Sequence, residues 1–325
     1  MSAPARPAAT FGVDVDPVEL HLAACGHADA VADPIVYTVA LPRLAEIFGR
    51  AGVRATFFVL GRDAGAFSRP LAALAAAGHE IASHSFSSPF AFSHLTPAQM
   101  RDEMIASRNA LQSALRVKVI GFRAPHCDLD RRGIEALIAT GYRYDASANP
   151  TPWLTVARAA LALRSRDIGY TARLSAWPFT LRRDPHVVRI PAGSLVEFPA
   201  AVTPWRRWQV RDAVHASMPG STFLHVIDGF VRRNESLSYP LRALDALGLI
   251  EDRLDPRLSG HPGMSEPLDQ RLRRLEDVVR AMARRFQVAT FAERATALAA
   301  ETTSVPGEAQ PPAAKAAVNE ARRAA

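Results

Sequence analysis

Short segments rich in β-branched and aromatic residues recur along the chain between stretches with helical periodicity, and this alternation constrains the fold more than any other feature. The segments fall at residues 11–15, 55–60, 80–85, 119–124, 142–147, 195–199, 222–227 and 287–291. Strands that alternate with helices build a parallel sheet with the helices outside it, because each parallel connection must cross back over a sheet face. Seven or eight such units are enough for the sheet to curl into a barrel. The helical stretches carry their own punctuation. Thr96-Pro97-Ala98-Gln99 reads as an N-cap, a first-turn proline and a capping-box partner, with Met100, Met104, Leu111 and Leu115 following on one face. Asp130 reads as the cap of a helix that ends at Gly141. The expected class is α/β, a distorted (β/α) barrel of about seven parallel strands.

Three regions break the rhythm. The Ala/Pro-rich residues 1–10 read as a flexible N-terminus, and residues 151–187, with Trp153, Trp177 and many arginines, read as an inserted helix-and-loop segment. Residues 303–325 hold no aromatic side chain and read as a disordered tail. One domain is left over residues 11–302, and a chain of 325 residues that is 48% hydrophobic can give it a large core. No stretch approaches a membrane span, and the first ten residues lack the apolar region of a secretory signal, so the expectation is a cytoplasmic protein. Cys25 and Cys127 are the two cysteines and make no disulfide framework. The net charge of +7 is densest from Arg271 to Arg285, where Leu272, Leu275, Val279 and Met282 recur at helical spacing. That pattern predicts a helix with a solvated basic face. No helix-turn-helix, zinc-finger or RNA-binding signature accompanies it, so nucleic acid is not an expected partner.

Polar residues keep landing at the C-terminal ends of the expected strands: Asp14 and Asp16, His84, Arg123, Asp145, Glu197 and His225. In α/β barrels that end of the sheet carries the chemistry. Asp14 and Asp16, in Phe11-Gly12-Val13-Asp14-Val15-Asp16-Pro17, share one strand face because side chains alternate. Two carboxylates on one small patch repel unless a cation or a proton sits between them.

These residues stand in motifs that together resemble the polysaccharide deacetylase family, of the NodB-homology (carbohydrate esterase family 4-like) type, from about Phe11 to Phe291. The motifs are the Asp14/Asp16 pair, Ala55-Thr-Phe-Phe-Val-Leu-Gly61, Gly78-His-Glu-Ile-Ala-Ser-His84, Gly121-Phe-Arg123-Ala-Pro125, Gly141-Tyr-Arg-Tyr-Asp145-Ala-Ser147 and Leu224-His225-Val-Ile-Asp228. The resemblance implies a NodB-type, TIM-barrel-like fold and metal-assisted hydrolysis of an N-acyl group on an amino sugar, with zinc the expected ion. It implies Asp14 as the base, Asp16 and His84 as metal ligands, His225 as the general acid and Arg123 as the residue that holds Asp14. Asp145, Glu197 and His126 are implied as substrate contacts; Glu197 fits equally well as a strand cap or a partner of His225, and His126 as a pocket wall. His21, His27 and His261 fall in loops within reach of a substrate, and His79 reads as a surface residue.

The chain departs from the family pattern at Ser88, where a second histidine ligand is usual, and a neutral hydroxyl is a poor zinc ligand. Three readings stay open: His94 swings into the vacant position, the metal is held by Asp16, His84 and water, or no metal is used. The expected function is removal of an acetyl or formyl group from a free, polymeric or lipid-linked amino sugar. The alternatives are a metal-independent hydrolase of cyclic amides, allantoinase-like, and a carbohydrate-binding barrel without activity.

Overall fold

In the computed structural model residues 6–27, 29–152 and 182–303 are described. Strand β1 (Ala8–Val15) sits inside the sheet, paired in parallel with β2 (Thr56–Val59) on one side and with β8 (Leu237–Arg242) on the other. From β2 the sheet continues in parallel through β3 (Glu80–Ser83), β4 (Gly121–Phe122), β5 (Tyr144–Asp145) and β7 (Gly193–Glu197). The antiparallel strand β6 (His186–Ile190) forms the far edge, and β9 (Gln287–Val288) pairs with the start of β1. The order β6-β7-β5-β4-β3-β2-β1-β8 leaves the curl open between its ends. At that seam the Ala201 amide donates to the Ser238 carbonyl at 3.0 Å. The result is a curled half-barrel of mostly parallel strands, as the alternation of strands and helices predicts.

Two-residue periodicity divides the core. Phe11, Val13 and Val15 of β1, with Phe57, Val59 and Ile81, join the outer cluster beneath the helices. There α2 (Leu41–Ala51) packs against α7 (Leu268–Arg285). The alternate residues Phe58 and Ala82 face inward and meet Tyr144, Val196, Phe198 and the Phe291 ring at the start of α8 (Phe291–Thr303). Asp14 is in register with Phe58 on one neighbouring strand and with Arg242 on the other. One strand face therefore carries the acids while the other builds the core.

The local signals hold in several elements. Thr96 caps α4 (Pro97–Leu115) in a reciprocal box with Gln99, and the Asp130 carboxylate accepts from the Gly133 amide at the start of α5 (Arg131–Ala139). Others are corrected. Residues 222–227 are not a strand but part of α6 (Gly220–Arg232), whose buried Phe223, Ile227 and Phe230 recur at helical spacing. The strand lies further on, at β8, and its Pro240 is tolerated because β8 is an edge strand. The basic helix α7 does not keep all its arginines in solvent: Arg271 is buried and donates to the Leu244 and Leu247 carbonyls. His79 is buried too, with its Nδ1 accepting from the Ala55 amide at 3.1 Å. Residues 8–10 belong to β1 rather than to a flexible terminus, and residues 186 and 187 of the expected insertion begin β6. Residues 153–181 of that insertion and 304–325 of the expected tail lie outside the described residues. Among the described residues no helix is long and apolar enough to cross a membrane.

Candidate active site

Arg123, directly after β4, organises the site. Its side chain is buried, with the guanidinium 4.0 Å from the centre of the Phe58 ring. Its Nε donates to the Ala146 carbonyl at 3.0 Å, and its Nη1 donates to Asp14 Oδ1 at 2.6 Å. The bond to Asp14 is charge-assisted and partly desolvated, so it fixes the carboxylate in one orientation. Gly12 makes that reach possible, since a Cβ there would lie 2.5 Å from Arg123 Nη2. The carbonyl of Arg123 also accepts from Nδ1 of His84 at 2.8 Å, so one residue orients both the acid and the imidazole.

With its Nδ1 so engaged, His84 turns Nε2 toward Asp16, 3.5 Å from Oδ1. Burial alone would raise the Asp16 carboxyl, but His84 outweighs it and holds Asp16 well below the usual carboxylate range. Burial likewise opposes charge on His84, yet Asp16 outweighs it and raises the imidazole above its ordinary value. The two groups therefore stabilise each other as a charged pair. Asp16 Oδ1 is buried and finds no hydrogen-bond partner.

That pair is one donor short of the three protein ligands a catalytic zinc takes. Among the described residues no group of three His, Cys, Asp or Glu side chains is placed to hold a metal ion. Ser88 sits in a left-handed conformation (φ 60°) with its amide donating to Ser85 Oγ, and Glu103 ties down the same turn through the amides of Phe86 and Ser87. His94 lies on the short turn Phe92–His94 and is not among the residues lining the cavity, so it does not fill the position left by Ser88. The residues present do not fit a three-ligand zinc site.

Asp14, Asp16 and His84 open into a cavity of about 330 Å³, within the range of small-molecule sites. His126 lines it from an exposed position with φ 54°. His21, His261, Arg211 and Arg242 line it as well. Burial pushes His21 down to about 4, and burial with the nearby Arg242 pushes His261 down to about 3. Both imidazoles are therefore neutral at neutral pH.

Other expected residues stand elsewhere. Asp145 is buried beneath the site, where it accepts from the Ser147 amide and hydroxyl, and Ser147 Oγ in turn accepts from the Ala124 amide. Burial, then the nearby Glu197, push the Asp145 carboxyl up to about 7. Its place is in the support of the loop after Arg123, not in contact with the cavity. Glu197 faces Asp145 in register and lies 3.4 Å from His186 Nε2, also away from the cavity. His225 is exposed on α6 and lines no part of the site, because the segment that carries it is helix rather than strand. Arg211 and Arg242 escaped sequence reasoning; the hidden strand β8 was the signal that would have placed Arg242 beside Asp14.

Residues 33–144 match the family model for polysaccharide deacetylase. Over 143 residues the chain is 29% identical to the peptidoglycan deacetylase of Helicobacter pylori, a match that covers 42% of this chain and 48% of that protein. The similarity thus spans about half the length of that curated relative. In fold the chain is similar to a Mycobacterium smegmatis protein assigned to the polysaccharide deacetylases, with a TM-score of 0.62 and 19% identity over 96% of this chain and 97% of that one. It is also similar to the Puue allantoinase, with a TM-score of 0.58 and 16% identity over 92% and 95% of the two chains. At such identities the solved structures show the shared fold. Over residues 33–144 the chain is similar to the polysaccharide deacetylase family.

Proposed function

We propose that the protein is a hydrolase that cleaves the amide C–N bond of an N-acylated amino sugar, with Asp14 as the base. The observation that carries this reading is the Asp14 carboxylate, gripped by the buried Arg123 at 2.6 Å and open to the same cavity as Asp16 and His84. A carboxylate so fixed takes a proton from an attacking water, and general base catalysis of this kind is worth roughly 10²–10⁴ in rate. The leaving nitrogen needs a proton in return. His225 is remote from the cavity, His84 is engaged by Asp16, and His21 and His261 are held neutral by burial. His126, which lines the cavity from an exposed position, is assigned the role of acid on its place there alone. The family match and the Helicobacter pylori relative support an acyl sugar as the substrate class.

A second reading rests on one specific observation, the missing third metal donor at Ser88: a hydrolase of cyclic amides or ureides that needs no metal ligand set. Incubation with neutral and anionic N-acetylated amino sugars and, separately, with allantoin separates the two. Acetate release from the sugars without opening of the ureide ring is the expected result. Ring opening without acetate release would transfer the site to the second reading, and turnover of neither would refute the assignment of Asp14 as a hydrolytic base.

A further inference from the structure

The cavity has a cationic side that proton transfer at Asp14 and His126 does not use. Its charges pair off as Arg123 with Asp14, His84 with Asp16, and Arg242 with Asp245, the last through Nη2 at 3.0 Å. Arg211 is left over. Its Nη1 reaches the neutral Gln209 Oε1 at 3.4 Å, and among the described residues no carboxylate lies within ion-pair distance of it. Burial, and then the neighbouring Arg242, push the Arg211 guanidinium below its ordinary value. Asp245 and Asp14 act on it in the opposite sense, but neither forms an ion pair with it.

Unused donors gather beside it. Arg242 Nε is buried without a hydrogen-bond partner. Arg242 Nη1 donates to His261 Nε2 at 2.8 Å, which leaves the proton of the neutral His261 on Nδ1, and that atom is also buried and unpartnered. Both residues line the cavity with Arg211, and Arg242 stands in register with Asp14 on the adjoining strand. A surplus guanidinium and two orphaned N–H donors in one cavity are costly unless something with negative charge and acceptor oxygens meets them.

We propose that the sugar taken by this cavity carries an anionic group, a carboxylate or a phosphate, held by Arg211 together with Nε of Arg242. This rests on the hydrolase reading above for the acyl sugar and adds the charge of the substrate. The anion sits beside the scissile amide, so the same contacts that bind it also set which amide reaches Asp14. A neutral N-acetyl sugar leaves the donors unmet and loses the charge-assisted bonds.

Calorimetric titration of the full chain with N-acetylglucosamine, N-acetylglucosamine 1-phosphate and N-acetylmuramic acid tests this. At least one anionic sugar should bind about tenfold or more tighter than the neutral one, in line with the worth of a hydrogen bond to a charged group. The two anionic arms tell phosphate from carboxylate. Arg211→Gln should remove the anionic advantage and Arg211→Lys should retain part of it. Equal binding of all three sugars, or an advantage left intact in both Arg211→Gln and Arg242→Gln, would overturn the proposal. Because binding is read without turnover, an anionic preference in a protein that releases no acetate leaves the anion site standing and removes the hydrolase reading. Acetate release with equal affinities does the reverse.

Discussion

Arg123 shows how much depends on a single side chain, because its guanidinium holds Asp14 while its carbonyl holds His84. Gly12 is the condition for that arrangement. In Gly12→Ala the new methyl would meet Arg123 Nη2 and Phe291, so the guanidinium must shift or the strand must move. The expected cost is about 1–3 kcal/mol of stability by denaturant unfolding, together with lost turnover. A variant as stable and as active as the wild type would contradict the close packing of Gly12 and Arg123. His261 gives a pH signature. Burial first, then Arg242, push it down to about 3, whereas the unfolded chain takes up its proton near pH 6.5. The unfolded state therefore binds more protons in the window between those values, and stability falls as pH drops through it. Between pH 7 and pH 5 this histidine should account for about 2 kcal/mol of lost stability. Unfolding of wild type and His261→Gln at both pH values checks it; a difference between the two proteins that does not change with pH would refute the neutral, buried imidazole. Asp14, Asp16 and His84 were legible as residues because their motifs are local. Arg211 was not, because nothing near it in sequence announces a cavity wall.

Among the elements, those with both a period and a cap were readable. The capping box of α4 is present as its four residues suggest, and Thr96→Ala should cost about 1 kcal/mol in denaturant unfolding. No change in midpoint would mean that the cap adds nothing. The failures have a common cause. Residues 222–227 form a short apolar run, and such a run is compatible with a strand or with one buried helical face. The true strand β8 carries Pro240, which argues against a central strand and is acceptable only at an edge. That one exchange placed His225 away from the cavity and brought Arg242 into register with Asp14. The loop after His84 was equally hard to read. Its geometry is set by Glu103 from α4, which accepts from the amides of Phe86 and Ser87, and no local motif encodes that distant contact.

At the scale of the molecule, alternation of strand and helix announced the curled parallel sheet, and the sheet explains why distant residues meet. Asp14 and Asp16 at and just beyond the end of β1, His84 after β3, Arg123 after β4 and Arg242 at the end of β8 converge because parallel strands end on one side. The openness of the seam was not legible, since it depends on where the last strands pair rather than on any residue's preference. The central claim is that this convergence serves hydrolysis, with Asp14 taking the proton of water. Acetate release measured with wild type and Asp14→Asn, on the same N-acetylated sugar, tests it most directly. The substitution keeps the size of the side chain and an oxygen for Arg123, so kcat should fall by about 10²-fold or more while the protein stays folded and KM changes little. A folded Asp14→Asn protein that releases acetate at the wild-type rate would contradict it.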